Sequence, residues 1–587
     1  MPASRAKGLH VLVLAGMALA SPAALAQGQP MPLGPPAAHH DESGPTPTVL
    51  KTVPSPSMET TPVAPPSDGR FQMEELKAPD LEAIGILDER QGGFGTTMWQ
   101  GTSASVVRYH TAHLPVANGS RTARSLARRL LLSAAVPPEG GKGMTPSLVE
   151  LRAERLYAMG EVEGLAALLK ATPAAVTSPG LTRLKIDAYL LAGDTKAACA
   201  ESATLVGSAD PRMQAFCMLS SGKVLEANMM LDLMRERKDA DHAFIAAAEA
   251  MGGTPPAKVD KLPNPTPLHL AAFKAAKMPL PADAANSSHP ALLRAIAEAP
   301  GLPVDVRIPA AERAEALGAL DTDTLRKIYG AVTFTPAEQQ AAQGIGDKTP
   351  RARVLLLRAA QQEASPSVRA DLITRILAAA AERGAFAGTA RLYAPIIADL
   401  RPSPDLAPFA AGLARALFAA ARPEGAGGWV ALAKSDPASA RAADDLWPLA
   451  RLYRGGETAA AGAETYGAWL GARELPADQA ERRALVGLEL LQAVGEKVPA
   501  AQWMALPQTG LSAIPTPRPA LKAQLRAASE GHRLGETVLL ALAALGDAGL
   551  DKVDAEILNR VVVYLRQAGL EREARDLAVE AALANGV

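Results

Sequence analysis

The stretch QGGFGTTMWQG, Gln91–Gly101, sets four glycines beside Phe94, Met98 and Trp99 in a chain written mostly in alanine, leucine and charged residues. Glycine-rich loops cradle phosphates when their N–H groups converge at a helix start, and each such loop needs fixed partners. A Walker loop needs a lysine to reach the phosphates, and none occupies that slot after Gly95. A dinucleotide fingerprint needs a third glycine where Met98 stands. With phosphate chemistry set aside, two readings remain open. The glycines let the backbone turn while Phe94, Met98 and Trp99 bury against the first helices, with Thr102 or Ser103 capping the next one. In the other reading Phe94 and Trp99 stay partly exposed as anchors for a peptide or glycan.

His110 and His113 lie three apart, on one face of a helix, and would suit two metal ligands. No third ligand follows at a fixed spacing, so no metal site is expected. In RTARSLARRLLL, Arg121, Arg124 and Arg128 share a helical face while Leu126, Leu130 and Ala134 share another. The arginine face is a solvated surface or a small anion patch. Ser220 and Lys223 match S-x-x-K, but the companion motifs of that catalytic set are missing and the match falls on a repeat turn. Cys199 and Cys217 are the only cysteines. Placed at similar height on neighbouring antiparallel helices, with a turn near Ala209, they are expected as a disulfide, two buried thiols being the alternative. Neither a CxxC spacing nor a nearby histidine supports a catalytic thiol. No catalytic residue and no cofactor is expected.

The elements that carry these residues follow from composition. Hydrophobic residues make up 48% and aromatics only 4%, so alanine, leucine and valine must build the core, which suits close-packed helices. Residues 1–26 have a basic start at Arg5 and Lys7, an apolar run, and a small-x-small site at Ala24-Leu25-Ala26, the pattern of a secretory signal peptide. Cleavage after Ala26 would place the product in the periplasm or outside the cell, with no transmembrane segment left. Losing Arg5 and Lys7 takes the formal charge from −1 to about −3, which excludes a basic footprint for nucleic acid. Ten prolines between Met31 and Arg70, with no apolar period, predict a disordered tether.

Between Pro146 and Met251 the chain reads as helix pairs, with turn glycines Gly160, Gly193 and Gly222 spaced 33 and 29 residues apart. Ala198 and Ala227 fall five after the second and third glycine, and Tyr189 sits before the second. On these residues the segment resembles the tetratricopeptide repeat family, with Leu165 in place of the alanine in the first unit. Gly569 and Ala574 repeat the spacing near the C-terminus. The resemblance implies a superhelix of stacked hairpins with a concave surface for partner proteins. The Ala-rich helices are also similar in style to the helical ring of soluble lytic transglycosylases, although the Gly-Leu-Met-Gln landmark of their catalytic domain is missing.

The expected fold is all-α, an α-solenoid of TPR-like hairpins behind a signal peptide and a Pro-rich leader. Its layout is signal peptide 1–26, disordered linker 27–70, Gly/aromatic loop and capping helices 71–143, hairpins 144–252, Pro-rich break and connecting helices 253–349, Ala-rich array 350–513 and C-terminal cap 514–587. The expected function is a periplasmic scaffold or adaptor for protein partners, with Phe94, Trp99, Arg121, Arg124 and Arg128 as candidate contacts. A cell-wall glycan-binding or glycan-active protein is the alternative.

Overall fold

The structure, a computed structural model, describes residues 81–587 apart from 174–177, 206, 208–209, 239, 341–343, 345, 455–461 and 507–516. All of these lie in the unit Lys77–Val587. The expected signal peptide and linker, the turn at Ala209 and residues 514–516 of the break at 514–520 fall outside the described residues. Among the described residues the fold is all-α, with no strand and two isolated bridges, Leu87 to Ser133 and Ser103 to Glu139.

The helices run in four groups. The first holds α1 (Ala104–Ala112), α2 (Arg121–Leu132), α3 (Leu148–Met159) and α4 (Val162–Ala171). The second holds α5 (Pro179–Ala192), α6 (Thr195–Ser202), α7 (Pro211–Ser220), α8 (Val224–Arg235), α9 (His242–Met251) and α10 (Pro267–Ala275). The third comprises α11 (Pro290–Glu298), α12 (Val304–Ala316), α13 (Thr322–Gly330), α14 (Pro336–Gln340), α15 (Pro350–Gln362), α16 (Pro366–Glu382), α17 (Phe386–Ala398), α18 (Ala407–Ala419) and α19 (Pro423–Ser435). The last comprises α20 (Ala440–Asp444), α21 (Trp447–Arg454), α22 (Ala463–Leu470), α23 (Ala477–Ala493), α24 (Ala500–Met504), α25 (Pro519–Glu530), α26 (Leu534–Leu545), α27 (Ala555–Gln567) and α28 (Glu571–Ala584).

Their boundaries are written locally. The side chains of Ser147, Ser178, Asp210 and Thr349 accept a backbone N–H of the first turn, and proline follows directly at Pro179, Pro211 and Pro350. Gly160 and Gly193 close α3 and α5 with φ of +73° and +78°, a conformation that only glycine adopts freely. Between the ends the apolar stripes bury into one contiguous core that runs from Phe94 to Val587.

The order of packing is not the order of the chain. α5 to α9 pack pairwise as neighbours, but α10 returns onto α5, and α11 packs on both α3 and α5. The Pro-rich segment before α10 is anchored rather than loose. Leu262 is buried, and its N–H donates to Asp283 at 2.9 Å. Followed through their contacts, α2, α3, α11, α12, α17, α18 and α28 form a closed circuit, because α28 packs against α2 and α26 against both α1 and α2. The hairpins α5 to α9 branch off outside this circuit. Cys199 of α6 and Cys217 of α7 are disulfide-bonded.

Candidate functional site

The glycine stretch folds as a plug. Phe94 and Trp99 are each 6% exposed, so the two rings expected as accessible anchors are core residues. The N–H of Phe94 donates to Ser133 Oγ at 2.9 Å, and the guanidinium of Arg129 lies over its ring at 4.5 Å. Trp99 packs on the start of α26, where Gly535 donates its N–H to the Met98 carbonyl at 3.0 Å. A Cβ at 535 would stand 2.9 Å from the indole, so this approach needs glycine. Ser103 stands at the start of α1 without capping it, and Thr102 donates instead to Glu536 of α26 at 3.1 Å. His110 is pulled below the usual imidazole range by burial, and His113 Nδ1 lies 2.7 Å from the Tyr109 carbonyl. The Ser220 hydroxyl donates back to the Phe216 carbonyl of its own helix.

The arginine face of α2 is spent on neighbours. Arg124 donates to Glu161 at 2.7 Å and to the Met159 carbonyl at 2.7 Å, closing the end of α3, and Arg128 reaches the same carboxylate at 3.1 Å. Arg121 lines a half-open cavity of about 1500 Å³, to which α12, α17 and α28 also contribute. It donates to Glu315 of α12 at 2.6 Å, and Arg391 of α17 meets the same carboxylate at 2.8 and 3.1 Å. Glu315 is 2% exposed as a side chain. Burial alone would raise it, but the two guanidiniums outweigh burial and hold it below the usual carboxylate range.

No known protein family, curated protein or solved structure matches this chain. Gly193 and Gly222 turn with positive φ, and Ala198 and Ala227 are fully buried. What the protein does has to be argued from the cavity and the surface.

The described lining residues include eight arginines and eight carboxylates, so the space is polar and close to neutral. Glu580 of α28 accepts the Thr122 N–H at 3.1 Å, the Thr122 hydroxyl at 3.0 Å and the Ser120 hydroxyl, and thus caps α2 from the far end of the chain. Burial pushes its carboxyl up, against the pull of those donors. Behind the lining residues Arg415 and Arg473, a single buried carboxylate, Asp445, receives Arg415 at 2.7 Å, Arg473 at 2.8 Å and Arg483 at 2.7 Å. Arg415 is lowered to about 10, first by burial and then by the charge of Arg473. Tyr393 is buried beside the cavity, and desolvation raises its hydroxyl far above the usual phenol.

Sequence reasoning found Arg121 but missed Glu315, Arg391, Glu580 and Asp445. Only Glu580 carried a signal, as one acid inside the apolar run AVEAALA. The others are partnered across more than twenty residues of chain, and no local pattern announces such a pair.

Proposed function

We propose that the protein is an extracytoplasmic scaffold or adaptor, a helical solenoid bent into a closed circuit, which holds a segment of a partner polypeptide in its central cavity. The carrying observation is the size and lining of that cavity. At about 1500 Å³ it exceeds the roughly 300–1,000 Å³ of small-molecule sites, and its paired arginines and carboxylates suit an extended, mixed-charge polymer better than a lipid or a compact apolar ligand. The Cys199–Cys217 disulfide supports an oxidising compartment, in line with the leader read at residues 1–26.

A glycan strand is the second reading, favoured by one feature: Glu580 is pushed up and Glu315 held down, the divergence expected of paired catalytic carboxylates. Both groups, however, are engaged by donors from α2, α12 and α17, an arrangement that suits support of the cavity wall better than hydrolysis.

The test fills the cavity at exposed lining positions outside the ion pairs, with Ser125→Trp and Ala387→Trp combined. In-cell crosslinking of tagged protein should enrich a partner with the parent and lose it with the filled variant at unchanged thermal stability. Retention on purified peptidoglycan that the same variant abolishes would replace the adaptor reading by the glycan reading.

A further inference from the structure

The three guanidiniums on Asp445 are one more than the fold needs. Asp445 is buried and uses both of its oxygens, Oδ1 accepting from Arg483 and Oδ2 from Arg415 and Arg473. Arg483 of α23 and Arg415 of α18 are 3% and 14% exposed as side chains, and they alone neutralise the acid. Each is further held by main chain, Arg483 by the Gly586 carbonyl at 3.1 Å and Arg415 by an oxygen of Val587 at 3.1 Å. Arg473, in the loop between α22 and α23, is the surplus charge. Its side chain is 34% exposed, and its like charge pushes both Arg415 and Arg483 down.

The surplus faces the cavity. Arg415 and Arg473 are lining residues, whereas Asp445 and Arg483 are not. None of the eight lining carboxylates pairs with either lining arginine, so this stretch of wall is cationic although the lining as a whole is balanced. Glu474, next to Arg473 in the chain, is 92% exposed and lies 3.7 Å from Arg441 instead. Even with the Val587 oxygen counted as a carboxylate, three guanidiniums face two acids. Arg473 spends Nε and Nη2 on Asp445, and its Nη1 makes no hydrogen bond among the described residues. A planar guanidinium with a spare donor beside a second one suits a carboxylate, which accepts from two nitrogens at once.

We propose that Arg415 and Arg473 form a carboxylate-binding subsite on the cavity wall, which takes an aspartate or glutamate side chain of the segment held there. The inference rests on the cavity reading above and adds to it the chemistry of the occupant. Arg473 is the contact, and Arg415 and Asp445 hold it in place.

The probe is acetylated, amidated tetraglutamate, compared with tetraglutamine by titration calorimetry on the full protein at low salt. Tetraglutamate should bind at least about tenfold more tightly. Arg473→Gln should weaken it by about tenfold with the melting temperature unchanged or raised, because Asp445 keeps two guanidiniums. Arg572→Gln, which removes the same charge from a 90% exposed lining position, should change binding less than about twofold. Equal losses in the two variants, or parent-like binding by Arg473→Gln, would overturn the subsite. Displacement by inorganic phosphate at a tenth of the concentration needed with malonate would overturn the carboxylate assignment in favour of phosphate. In-cell capture separates this proposal from the reading beneath it. A partner lost on cavity filling, with no binding of tetraglutamate, would sink the subsite alone. Arg473-dependent binding of tetraglutamate with no partner captured would keep the subsite and sink the polypeptide reading.

Discussion

At the scale of single residues, the molecule spends its charged side chains on joining helices, and several carboxyls are left in places that disfavour ionisation. Glu489 of α23 is raised to about 7, first by burial and then by the charges of Glu556 and Asp554. Asp187 of α5 is raised to about 6 by burial, in spite of a hydrogen bond from Tyr157. An acid whose folded value lies above its unfolded one makes a contribution that is fully present below the unfolded value and lost as pH rises through the folded one. The contribution of these two carboxyls should therefore decline from about pH 4.5 to about pH 7. Glu489→Gln should remove part of that slope, with a gain of about 1–2 kcal/mol at neutral pH after discounting for its partial exposure and almost none near pH 4.5. Urea titrations of parent and variant across this range check it, and parallel curves would show that Glu489 ionises freely in the fold.

Helices form here because capping and apolar spacing agree, but α6, of eight residues, is too short to persist alone. Its Cys199 bond to Cys217 ties it to α7 across a loop with a sequence separation of 18. Loop-entropy reasoning assigns such a closure about 3 kcal/mol. Replacing both cysteines by serine should lower hydrogen-exchange protection by roughly that amount in α6 and α7, with a smaller loss in α5 and α8. Stacked hairpins pass strain mainly to their neighbours, so α16 to α18 should keep their protection. Loss spread evenly over the whole molecule would mean that the branch and the circuit unfold as one unit.

At the scale of the whole described unit, closure is a long-range event made by polar contacts. Glu580 caps α2, Glu573 pairs with Arg129, and Asp547 accepts the N–H groups of Val116 and Ala117 at 2.6 and 2.8 Å. Glu580→Ala would leave the Ser120 and Thr122 donors without their acceptor, a loss of about 1–3 kcal/mol. Its signature in hydrogen exchange should be a joint loss of protection in α1, α2, α26 and α28, with α5 to α9 unchanged. Protection lost in α28 alone would show that the apolar contacts of α2 with α26 hold the circuit closed without the cap.

The helical class and the cysteine pairing were legible in the sequence, because each depends on residues close together in the chain. Ser178-Pro179 begins a helix wherever it is placed, Gly193 ends one, and two cysteines on adjacent helices meet at similar height. The glycine stretch was legible as a tight turn. Whether its aromatics faced solvent was decided by Ser133, Arg129 and Gly535, the last of these more than four hundred residues away. The exposed row Leu225, Met229 and Leu233 has the same helical spacing as a core stripe, and only the packing of α7 and α9 determines which of the two faces of α8 is covered. Periodicity is a local property, so sequence alone determined that this chain would be helical and where glycines such as Gly160 and Gly193 would turn it. Which faces meet depends on complementarity between distant segments, and only the tertiary structure decided that α28 would close on α2 around a charged cavity while one apolar face stayed open.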